Sequence, residues 1–232
     1  MHEEIMFMDG LAKIIPPLHN VPHYVSYAFL AAAILIVIAI VLRGAMALVP
    51  RNLQNFIEVV AEAMLNLSEE TIGGHWGKSF FPLIATVFMY ILVCNFMGLI
   101  PGFMSPTSNI NMTASMAIPV FLATHFFGLK VHGVKYFAHF LGPIKSLAAL
   151  PLMVLMFVIE IISHAARPLT LSVRLFGNMI AKHKLLLVLG LLMPQIVPTA
   201  ILGLGVLVSI VQAFVFALLT TLYLAGAVEE AH

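Results

Sequence analysis

From Ser79 through Leu129 the chain carries no Asp, Glu, Lys or Arg. That single run excludes most ways a chain can fold in water. A soluble domain is roughly a quarter charged, whereas charged residues are 9% of this chain and hydrophobic ones 62%. So few charges cannot cover a water-facing surface, so the bilayer must serve as solvent. The expected fold class is an all-α polytopic membrane protein, a single integral membrane domain over residues 1–232.

Where the apolar runs break sets the expected spans. A crossing takes about 20 residues, and 24–42 between Lys13 and Arg43 supplies the first. Residues 51–70 differ: Leu53, Phe56, Ile57, Val60, Met64 and Leu67 recur at helical spacing, with Asn55, Glu58, Glu62, Asn66 and Glu69 opposite. That pattern predicts an amphipathic helix on the membrane surface, ended by Gly73 and Gly74. The polar break from Pro101 to Asn111 divides the charge-free run into spans at 80–100 and 112–129. Residues 147–193 exceed one perpendicular crossing and read as one long tilted helix or two spans. Pro194 and Pro198 mark a turn before a last helix at 199–228.

Basic residues set the orientation. Arg43, Arg51 and Lys78 follow the first span, and Lys130, Lys135 and Lys145 follow the third. The positive-inside rule places those loops in the cytoplasm, the N-terminus outside and the C-terminus inside. That parity needs an odd number of crossings, so 147–193 counts once, giving five spans plus one surface helix. Met1 to Asp9 is acidic, without the basic region of a signal peptide, so the first span is expected to insert as it stands. A net charge of +1 gives no reason to expect nucleic acid, and the lone Cys94 excludes an internal disulfide.

One segment breaks the apolar rule. Glu160, His164, Arg167, Arg174, Lys182, His183 and Lys184 lie inside it. At ~100° per residue, Glu160, Arg167, Arg174 and Asn178 fall within ~40° of one another. His164 and Lys182 lie ~40° to the other side of Glu160. A mid-membrane charge costs at least ~2.5 kcal/mol, so this stripe faces protein or a water-filled cavity. Glu160 and Arg167 suit either a helix-locking ion pair or a path; Lys182 and Lys184 suit snorkelling or loop-side positions. Arg174 is distinct: Glu160, the nearest acid on its helix, is ~21 Å away. Its charge is permanent, which suits an electrostatic gate rather than a relay. The last helix carries a weaker stripe of Gly205, Ser209, Gln212, Phe216, Thr220 and Tyr223. There Gly205 suits either close helix packing or function, and Gln212 suits a cross-helix bond or a path with Asn178 and His183.

These residues also form known motifs. Arg174-Leu175-Phe176-Gly177-Asn178-Met179, Pro168 before it, Gln212-Ala213-Phe214-Val215-Phe216, Asn95 to Pro101 and Pro106 to Thr113 together resemble subunit a of the F-type ATP synthases, from about Pro50 to the end. The resemblance implies a non-catalytic, proton-translocating stator subunit in a bacterial inner membrane. Its last two helices form a tilted hairpin against a rotating ring of c subunits, with b subunits of the peripheral stalk and the remaining synthase subunits as further partners. Two offset half-channels reach carboxyls on the ring, separated by Arg174. Asn178 and Gln212 match proton-path positions, and Glu160 and Ser163 match the cytoplasmic side. His183 and Gly205 stand where many bacterial relatives carry an acid and a histidine. An imidazole remains suited to proton relay at His183, and Ser209 joins the expected path. Neither cofactor nor metal is implied, and no Gly-rich phosphate loop is present.

Two rivals predict different features. A self-contained secondary transporter needs inverted repeats and matching broken helices, which the sequence does not show. A structural scaffold would pair Arg174 with a partner and move no ion.

Overall fold

A computed structural model describes residues 22–44, 53–100, 103–133, 136, 150–192 and 196–228. Within the last two helices, side chains are described for 153–189 and 200–228. The acidic start Met1–Asp9, the basic residues Arg51, Lys135 and Lys145, Pro101, the Pro194 turn and the tail from Glu229 lie outside the described residues.

Every regular element among the described residues is helical: α1 (His23–Gly44), α2 (Leu53–Ile72), α3 (Gly74–Met97), a 3-10 turn (Pro106–Ser108), α4 (Ile110–His132), α5 (Leu150–Leu192) and α6 (Ile196–Val228). Five of these α-helices, all but α2, are long and apolar enough to cross a membrane. Helices suit this solvent because each satisfies its backbone internally.

The boundaries have local causes. Gly73, at φ 97°, takes a backbone conformation that residues with a Cβ rarely adopt; it separates α2 from α3. Ser68 Oγ then donates to the Gly77 carbonyl at 2.8 Å, tying that corner. Asn109 caps α4, its Oδ1 accepting from the Asn111 backbone N–H at 2.9 Å. Pro198 falls inside the first turn of α6 rather than in the turn before it. Proline is tolerated there because the early N–H groups of a helix lack an internal acceptor.

Residues 150–192 form one helix of 43 residues, so the two-span reading is excluded. At ~1.5 Å per residue it runs about 65 Å, twice the ~30 Å hydrocarbon core, and it must tilt to stay within it. Pro168 lies inside this helix without ending it. Thr170 Oγ1 bonds the carbonyls of Ala166 and Arg167 at 2.8 and 2.9 Å, taking up carbonyls beside the proline.

The core lies where α3, α4, α5 and α6 meet, around Phe80, Ile84, Ile91, Val120, Leu175 and Phe216. A polar lock closes one end. Asn95 is fully buried; its Nδ2 donates to the Ser209 carbonyl of α6 at 3.4 Å, and its Oδ1 accepts from Thr107 Oγ1 at 2.8 Å. Ser105 Oγ donates to the Cys94 carbonyl at 2.9 Å. A buried amide left without partners would cost ~1–3 kcal/mol, which accounts for polar residues at the end of so apolar a helix.

Candidate functional site

α5 buries a narrow edge and exposes the rest. Leu171, Leu175 and Met179, spaced four apart, face the core. Leu169, Val173, Leu187 and Val188 are exposed, as are Leu207, Ile210 and Val211 on α6. The hairpin therefore presents a broad apolar surface. Arg174 lies on that exposed side, one position from buried Leu175. Among the described residues its guanidinium has no hydrogen bond or ion pair. Polar groups lie on α5 to either side of it.

On one side, Asn178 Nδ2 donates to Gln212 Oε1 at 2.6 Å. This joins α5 to α6, and the buried Gln212 is thereby held rigidly. One turn further, Lys182 is buried, and among the described residues its Nζ has no hydrogen-bond partner. Its stem lies on Gly205: a Cβ there would come within 3.1 Å of Lys182 Cδ and 2.8 Å of Leu99 Cδ2. A side chain at 205 would thus contest the space that Lys182 occupies. Asn178, Lys182 and Gly205 line one cleft of about 160 Å³, with Leu185, Leu204 and Val208 as apolar walls. His183 is half-buried; its Nδ1 donates to the Met179 carbonyl at 2.9 Å, and it meets Lys182 at a smaller hollow beside Leu99.

On the other side, Glu160 Oε1 is 3.1 Å from His164 Nε2. Arg167 does not pair with Glu160; its guanidinium carbon sits 5.0 Å above the ring of Tyr223 on α6. Such a cation–π contact holds a cation without a carboxylate. Ser163 is exposed. Ser209 is fully buried toward α3, where its carbonyl accepts from Asn95, and its own hydroxyl has no partner among the described residues.

The structure thus brings Asn178 and Gln212 together, sets Arg174 apart, and brings Glu160 to His164. It separates Ser209 from the exposed face. The inward position of Lys182 contradicts snorkelling; its place on the Glu160 stripe and the missing side chain at Gly205 are the sequence signals for it. His125 and Tyr136, which also join the Glu160 side, gave no sequence signal of their own. Among the described residues no group of three or more His, Cys, Asp or Glu side chains is placed to hold a metal ion.

Comparison with known proteins decides the family. The family model described as ATP synthase A chain matches residues 25–225. The chain belongs to that family. It is 45% identical over 235 residues to the ATP synthase subunit a of Geobacter sulfurreducens, covering all of both chains. It is 49% identical over 208 residues to that of Trichlorobacter lovleyi, covering 90% of this chain and 88% of the relative. The ATP synthase subunit a of Geotalea daltonii is 48% identical over the same share. Family membership and five membrane-length helices together make this chain a multi-pass membrane protein.

Proposed function

We propose that this chain is the stator half-channel subunit of an F-type ATP synthase, passing protons to and from carboxyls on a rotating c-ring. The carrying observation is Arg174: a permanent charge on an exposed apolar face, without a counter-charge among the described residues, flanked by two separate polar clusters. A counter-charge on a passing partner satisfies such a group without locking it.

The mechanism follows from charge. A protonated ring carboxyl is neutral and crosses lipid; an ionised one cannot, and is drawn to Arg174. A proton arriving on the Asn178, Gln212, Lys182 and His183 side neutralises it and frees the ring to advance. A proton leaving by the Glu160 and Ser163 side re-forms the anion. Arg174 repels a proton attempting the direct route between the two sides. Each elementary charge crossing supplies ~2.3 kcal/mol per 100 mV. The subunit performs no bond-making chemistry itself. The b subunits of the peripheral stalk would hold it against the ring's torque.

This reading requires the ring. Membrane vesicles holding this chain with the c-ring should conduct protons down an imposed potential, and vesicles holding the chain without the ring should not. Equal conduction by the chain alone would instead establish a self-contained transporter.

The basic loops orient the chain in a bacterial inner membrane with the N-terminus outside and the C-terminus cytoplasmic. Cysteines placed at Asn109 and Glu230 should therefore react with impermeant reagent from opposite sides, and the buried Cys94 should give little background. Labelling of both from one side would contradict this orientation.

A further inference from the structure

The Glu160 side of the molecule holds more ionisable groups than its own helix supplies. His125 of α4 lies with its ring centroid 5.3 Å from that of His164 on α5. His125 Nδ1 is 2.7 Å from the hydroxyl of Tyr136, which follows α4. His164 Nε2 is 3.1 Å from Glu160 Oε1. Arg167, from α5, stacks on Tyr223 of α6 and closes the cluster. Among the described residues, these are titratable and charged groups that α4, Tyr136, α5 and α6 turn toward His164.

Several features show the arrangement to be held in place. Tyr136 is buried at 7% exposure, and its ring fills the space beside Gly128. A Cβ at 128 would fall 2.5 Å from Tyr136 Cε2, so a residue larger than glycine would expel the ring. Phe121 packs edge-on against His125 with centroids 4.3 Å apart. Burial raises the Tyr136 hydroxyl above its ordinary range, and the charge of Arg167 only partly offsets this. The phenol therefore keeps its proton, and its hydroxyl shares one hydrogen bond with His125 Nδ1 whose direction follows the imidazole's tautomer. A cavity of about 10 Å³ beside His164, Arg167, Thr124 and Tyr223 has room for one water molecule.

We propose that His164 is the proton-carrying residue of the cytoplasmic half-channel, with His125 and Tyr136 as positioning residues that link it to the end of α4. The proposal rests on the half-channel function above and names the residues of its inner side. Two imidazoles this close do not both take a charge cheaply beside the fixed charge of Arg167. The cluster therefore holds one mobile proton. It arrives on a ring nitrogen of His164, with Glu160 balancing the imidazolium, and leaves from a ring nitrogen to water. No bond to carbon forms or breaks, and no second reactant is needed.

The test uses the intact synthase in inverted vesicles, whose bath is the cytoplasmic side, and reads ATP-driven proton pumping as bath pH alone is varied. An imidazole titrates between about pH 5 and 8. His164→Gln should lower pumping at least ~10-fold, less than the ~100-fold or more of an irreplaceable acid–base group because water remains nearby. The deficit relative to the parent should vary with bath pH across that window. Tyr136→Phe keeps the ring against Gly128 and loses only the hydroxyl, so it should assemble normally and change the shape of the pH profile. A deficit in both variants that is constant at every bath pH would reduce the cluster to packing and overturn the proposal. So would parent-like pumping by His164→Gln. Arg174→Ala in the same vesicles separates the two levels. If Arg174→Ala pumps normally, the half-channel function fails and the proposal with it. If Arg174→Ala is inactive while His164→Gln follows the parent profile, only the assignment of His164 falls.

Discussion

Replacing Lys182 with methionine should make the protein more stable and its proton path much slower. The two effects have one cause. Lys182 is buried, and among the described residues its ammonium has no hydrogen-bond partner. Placing a lysine at membrane depth costs ~2.5–3.5 kcal/mol even on the lenient insertion scale. Methionine has similar length, is apolar and adapts to irregular space, so it fits beside Gly205 and Leu99 without that cost. The stem packs on Gly205, but among the described residues no contact requires the ammonium, whereas an amine lining the same cleft as Asn178 can take up and release a proton. Lys182→Met should lower ATP-driven pumping by ~100-fold, as for removal of a positioned acid–base group, while raising the temperature at which the purified complex loses this subunit. Lys182→Arg should not restore pumping, because a guanidinium does not give up its proton. Lower stability with unchanged pumping would make Lys182 a packing residue.

The fold is largely legible in the sequence because its main determinant is one-dimensional. The charge-free runs around α3 and α4 mark those helices, and Gly73 marks the end of α2, since each acts over a few neighbouring residues. The join at Pro198 misled because proline stops a helix only in its interior; in the first turn it costs little. The length of α5 was ambiguous, since hydropathy shows that a segment is apolar without showing whether it turns. Of the site, Arg174, Asn178 and Gln212 were legible from stripes on single helices. Periodicity gives a residue's angle on its own helix and leaves open what the facing helix leaves empty. The direction of Lys182 is decided by the missing side chain at Gly205, 23 positions along the chain. The partner of Glu160 is decided the same way: Tyr223 takes Arg167 from α6 and leaves the carboxylate to His164. His125 and Tyr136 join only through the packing of α4 on α5, which no local pattern encodes.

In the proposed mechanism the charge of Arg174, unpaired among the described residues, separates two proton paths, and substitution at that residue tests this directly. Arg174 is exposed beside Leu175 and contributes nothing to the core, so its removal should leave the subunit inserted and assembled. What should disappear is the attraction that draws an ionised ring carboxyl into place and the repulsion that closes the direct route. Arg174→Ala and Arg174→Gln should abolish coupling. Arg174→Lys should be severely impaired, since a compact, strongly hydrated ammonium does not reproduce a planar, weakly hydrated guanidinium. The measurement is ATP-driven proton pumping in inverted vesicles, recorded beside the amount of subunit in the membrane. Normal abundance with no pumping is the predicted result; normal abundance with pumping near the parent rate would contradict the gate.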